Sequence, residues 1–112
     1  MKIAISSNGP DLGDSIAELF GRCPYFIFVQ VEAGKMGKIQ ALENKNMDQA
    51  AGAGISAAKS LAEMGARAVI AQNIGPRAVD VLKQFNIEIY DFSGTAGAAV
   101  EKFIAGELSK KN

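Results

Sequence analysis

The chain has 112 residues, 48 % of them hydrophobic and 21 % charged, with 12 lysines and arginines balanced by 12 aspartates and glutamates. That length is a single domain, 1–112, able to bury a core without disulfide or metal, and its zero net charge leaves no basic surplus to displace the counterions of a nucleic acid. No apolar run resembles a signal peptide or is long enough to span a bilayer, one cysteine (Cys23) permits no intrachain disulfide, and the expected setting is the reducing cytoplasm.

Residues 2–6 form a short apolar run, read as the first strand, ended by the turn signal Ser7-Asn8-Gly9-Pro10. Ser15-Ile16-Ala17-Glu18 matches a capping box and predicts a short helix to about Phe20, with Gly21 as its stop. Residues 23–32 are aromatic and β-branched, and 38–43 form a second such run. The polar, glycine-containing connector between them predicts an antiparallel hairpin of strands two and three. Asn44 to Gly54 is polar and glycine-rich. From Ile55 the spacing becomes helical, with Ile55, Ala58, Leu61 and Ala62 on one face and Gly65 ending the run.

Residues 67–71 are strand four. Gly75-Pro76 opens a helix whose expected buried stripe is Ala78, Val79, Leu82 and Phe85, since proline suits the first helical position. Strand five is 87–90, and a last helix runs from about Thr95 toward Leu108, burying Val100, Phe103 and Ile104. A hairpin followed by strand–helix alternation implies a mixed five-stranded sheet with helices on its faces, an α/β fold.

In that topology strand two opposes strands one and three, while strands four and five run parallel to strand one. The ends of strands one, three and four and the start of strand two therefore share one edge, the usual place for ligands of open α/β sheets. That edge collects residues 6–13, 21–23, 48–54 and 73–77. Gly52 and Gly54 open one helix and Gly75 another. Helix N-termini offer unpaired amides to an anion, and glycine lets it approach. Arg22 and Arg77 add forked donors, and Asn8 and Asn73 are further polar candidates. The bland reading of these glycines is that they only make turns and caps.

Cys23 lies among Pro24, Tyr25 and Phe26, where a lone thiol is most often a small buried hydrophobe. Beside Arg22 it is also a candidate soft-metal ligand. One thiol supplies at most one ligand to a preassembled cluster. Catalysis is not expected: without histidine there is no serine–histidine or cysteine–histidine pair. The aspartates are scattered rather than clustered for two metals, and no dinucleotide or P-loop motif is present.

Phe20-Gly21-Arg22 with Tyr25-Phe26, the Gly52-Ala53-Gly54 segment before an alanine-rich helix, and Gly75-Pro76-Arg77-Ala78 followed by Asn86-Ile87-Glu88-Ile89-Tyr90 together resemble the dinitrogenase iron–molybdenum cofactor biosynthesis domain family. That family includes NifX-type proteins and the C-terminal part of NifB-type proteins. The likeness spans residues 1 to about 103. It implies a ribonuclease-H-like, three-layer α/β/α architecture and a non-enzymatic carrier of an iron–sulfur or iron–molybdenum cofactor precursor, working with cluster donor and acceptor proteins. Relatives that hold the cofactor are expected to use histidine or cysteine; here only Cys23 is available. Two other readings stand beside it. One is a small-anion or nucleotide module using the same edge without metal. The other is a protein–protein interaction domain presenting Tyr25 and Phe28.

Overall fold

In chain order the elements are β1 (Lys2–Ser7), β2 (Tyr25–Glu32), β3 (Lys35–Glu43), α1 (Ala53–Glu63), β4 (Ala66–Ala71), α2 (Pro76–Gln84), β5 (Glu88–Asp91) and α3 (Ala96–Ile104). They are seen in a computed structural model describing residues 1–111; Asn112, the last residue of the expected domain, lies outside the described residues. The sheet order is β3-β2-β1-β4-β5. β1 pairs antiparallel with β2 and parallel with β4; β2–β3 is antiparallel and β4–β5 parallel. β1 lies at the centre, which is why its apolar run does not alternate with polar residues: both of its faces are covered.

Alternation along the strands sends side chains into two cores. Ala4, Phe26, Phe28, Val69 and Ile89 pack with Ala57, Ala58 and Leu61 of α1 and with Ala78 and Leu82 of α2. Ile3, Ile5, Ile27, Val29, Ala68 and Ile70 face the other way, onto Ala96, Ala99 and Val100 of α3. The result is three layers, helix–sheet–helix, as expected. Each fully buried aliphatic side chain contributes about 1.5–3 kcal/mol relative to exposure.

The hairpin is tighter than the sequence suggests. β3 begins at Lys35, and the two residues Ala33 and Gly34, at φ 51° and 72°, make the turn. Positive φ at both positions matches the strand twist. Phe28 is buried and Tyr25 half-buried, so little of the hairpin's aromatic surface faces solvent.

The expected helix over 15–20 is absent. Ile16 N–H donates to the Gly94 carbonyl (2.8 Å), Ala17 N–H to that of Ser6 (3.0 Å), and the Ser15 carbonyl accepts from Asn8 N–H (2.9 Å). The Ser15 hydroxyl accepts from Asn8 Nδ2 (2.8 Å) rather than capping a helix. One turn of helix nucleates poorly, and the end of β1 offers these backbone groups better partners. Phe85 also departs from the expected stripe: it is the C-cap of α2 and 52 % exposed. Asn86, at φ 59°, turns the chain so that Ile87 fills the core instead. Val79, Phe103 and Ile104 pack only partly buried against the cores.

Candidate functional site

At the carboxyl end of β4, the 19–22 loop and the first turns of α1 and α2 enclose a groove of about 540 Å³. Its lining includes Arg22, Gly52, Gly54, Asn73, Gly75 and Arg77, so six of the eight candidate residues converge as the topology requires. The lining contains two guanidiniums and no carboxylate. A second cavity, of about 340 Å³, is lined by residues including Asn73, Tyr90, Asp91 and Lys111. There Lys111 Nζ lies 3.5 Å from the Asp91 carboxylate, which uses the positive charge internally.

Neither groove helix has a side-chain cap: α1 starts behind Gly52 and α2 behind Gly75. By contrast α3, away from the groove, is capped by Thr95, whose hydroxyl accepts from Ala98 N–H at 3.1 Å. The first-turn amides of α1 and α2, with the positive ends of both helix dipoles, are thus directed at one space.

The glycines differ in what they do. A Cβ on Gly21, at φ 82°, would lie 2.7 Å from Gly54 Cα and 2.8 Å from its nitrogen. Bare backbone there lets the loop lie directly on the start of α1. At Gly54 the demand is slight: a Cβ there would only touch Ala78 Cβ, at 3.4 Å. Gly75 has no such reason: its φ is −66° and open space surrounds it. Its missing side chain leaves the lip of the groove clear.

Arg22 Nη1 donates to the carbonyls of Met47 (2.9 Å) and Gln49. Of five guanidinium donors three remain, and because its partners are neutral carbonyls the full charge is retained. Arg77 is exposed on the first turn of α2, with no ion-pair partner among the described residues. Asn73 sits at φ 48° and donates Nδ2 to the Glu18 carbonyl (2.7 Å). It therefore holds the 18–20 loop and keeps one Nδ2 hydrogen and its Oδ1 for other partners.

Two candidates lie elsewhere. Asn8 is engaged with Ser15 and does not line the groove. Cys23 is fully buried in the core between sheet and α1. Burial pushes its thiol pKa up, against weaker opposing hydrogen bonds from Ser6 and Asn44. Cys23 is therefore not among the residues lining the groove, and its thiol is covered by the core. The reading as a small buried hydrophobe describes its position. Among the described residues no group of three or more cysteine, aspartate or glutamate side chains could hold a metal ion, and no helix is long and apolar enough to cross a membrane.

Two features were missed in the sequence. Leu19 and Phe20 give the groove an apolar wall, with Leu19 53 % exposed; the false helix hid them. Asn44 is a buried amide holding the 21–23 loop. No local signal separates it from an ordinary turn asparagine, because the carbonyls its Nδ2 holds are more than twenty residues away.

Comparison with known proteins agrees with this architecture. The family model described as dinitrogenase iron-molybdenum cofactor matches residues 1–106. An uncharacterized protein of Methanocaldococcus jannaschii is 35 % identical over 111 residues, covering 98 % of this chain and 91 % of the relative. The apo form of the orange protein from Desulfovibrio gigas superimposes with a TM-score of 0.88 at 30 % identity, over 97 % of this chain and 91 % of that one. A Thermotoga protein provisionally described as a NifB protein gives 0.82 at 34 % identity, over the same shares, 97 % and 91 %.

Proposed function

The chain belongs to the dinitrogenase iron-molybdenum cofactor family, and from that premise we propose that it is a non-catalytic carrier whose groove holds a preassembled, sulfide-rich metal cluster or precursor as an anion. The observation that carries this reading is the groove lining: two guanidiniums and two uncapped helix starts, with no carboxylate among them. Such a set suits an anion held by charge and hydrogen bonds. It offers the metal no thiolate or imidazole. The cargo must therefore bring its own sulfide ligands. The apolar wall of Leu19 and Phe20 favours a soft, weakly hydrated sulfide surface over strongly hydrated phosphate, whose desolvation there is costlier.

Tetrathiomolybdate is a suitable probe. Anaerobic titration, followed by visible absorption, should give a stoichiometric complex whose affinity falls with salt. Arg22→Ala and Arg77→Ala should each weaken it about tenfold or more, on the order of a charge-assisted contact. Inorganic phosphate serves as the comparison: tighter binding of phosphate would favour the metal-free anion module. No complex with tetrathiomolybdate, or one indifferent to both arginines, would refute the carrier reading.

A further inference from the structure

We propose that Asn44 is a positioning residue for Arg22, setting both the backbone and the guanidinium of that arginine before any ligand arrives; this rests on the reading of the groove as an anion site. Asn44 follows β3 directly and is 9 % exposed. Its Nδ2 donates to the Gly21 carbonyl and the Cys23 carbonyl, both at 2.9 Å, so the carbonyls of the two residues on either side of Arg22 are held by one amide. Its Oδ1 accepts from Asn46 N–H at 3.1 Å, and its own carbonyl accepts from Met47 N–H at 3.2 Å. Its backbone N–H reaches the Pro24 carbonyl at 2.9 Å.

These bonds tie together two segments distant in sequence. The turn that starts at Asn44 supplies the Met47 and Gln49 carbonyls that grip Arg22 Nη1. Arg22 is thus fixed at its root by the side chain of Asn44 and at its tip by the turn that Asn44 organises. Arginine is exposed here, and an exposed arginine ordinarily samples many rotamers. Fixing it in the unliganded protein removes that ordering cost from binding. Arg77, with no such cradle, does not share this preorganisation.

The test has one arm without ligand and one with it. In NMR spectra of the wild-type guanidinium nitrogens, Arg22 should show slowed rotation and separate Nη signals, while Arg77 shows averaged ones. Arg22 signals averaged like those of Arg77 would overturn the proposal whatever the groove binds. In Asn44→Asp, which loses both donors at constant shape, the Arg22 signals should average. Asn44→Ser, which keeps one donor, serves if the aspartate variant fails to fold. With tetrathiomolybdate as probe, the Asn44 substitution should weaken binding about three- to tenfold, the range for ordering one long side chain. It should have no further effect in an Arg22→Ala background. An equal loss in both backgrounds would mean that Asn44 acts through general destabilisation, and would overturn the proposal. Absence of any complex in the wild type would count against the carrier reading, while the spectra would still decide the role of Asn44.

Discussion

Gly75→Asp should separate the stability of the fold from the use of its groove. Gly75 precedes α2 with φ −66° and ψ 156°, extended backbone that any residue adopts and the usual shape for an N-cap. An added Cβ meets nothing within 4 Å. Aspartate there gains a few tenths of a kcal/mol over glycine as a cap, about 0.3–1 from the helix dipole and about 0.4–1 from a less flexible unfolded chain. The sum is about 1–2 kcal/mol, which at roughly 4 °C per kcal/mol for a domain of this size raises Tm by about 4–8 °C. The same carboxylate takes the α2 amides and places a negative charge in the groove. At about 4 Å and an effective dielectric near 20, repulsion of a bound anion is up to about 4 kcal/mol. Tetrathiomolybdate affinity should therefore fall at least tenfold. Gly75→Asn caps without charge, so its loss should be smaller and less sensitive to salt. Thermal melts and anaerobic titrations of the three proteins check this. A more stable aspartate variant that binds the anion as tightly as wild type would refute the assignment of the α2 amides to the site.

Gly21→Ala should be far more disruptive than its size suggests. The left-handed conformation costs a side chain about 1–2 kcal/mol. The collision with Gly54 backbone adds an overpacking term of about 1–3. A fall in Tm of about 8–20 °C is expected at some 4 °C per kcal/mol, and an unchanged melt would show that the loop does not rest on α1 as described. For Cys23, burial raises the folded pKa above the ordinary thiol value of 9.0. Above that pH the unfolded thiol loses its proton first and the unfolded state binds fewer protons, so stability is unaffected below this range and falls as pH rises through it. Denaturant melts across alkaline pH should show this decline in wild type relative to Cys23→Ala. The native thiol should resist alkylation at pH values near 8, where free thiols begin to ionise. Rapid alkylation of the folded protein would contradict its burial. Cys23→Ala should keep its affinity for tetrathiomolybdate.

Much of the architecture could be read from local signals. Apolar and β-branched runs bounded by turn residues reveal the five strands, and helical spacing the three main helices, because buried positions repeat with the period of each element. The convergence of Arg22, Gly52, Gly54, Gly75 and Arg77 followed from strand direction alone, since parallel strands bring their carboxyl ends to one edge. Where local and distant partners compete, the sequence is silent. Ser15 to Glu18 has the residues of a capping box, yet its backbone bonds to Ser6, Asn8 and Gly94 instead. Cys23 could be read either as a small buried hydrophobe or as a ligand beside Arg22; the structure places it in the core while its neighbour stays exposed. Gly21 and Gly75 are the same letter, and only the distance from each to its surroundings separates a backbone contact from an open lip. Tertiary structure alone decided these points, because burial, collision and side-chain-to-carbonyl bonding depend on segments brought together from far apart in the chain.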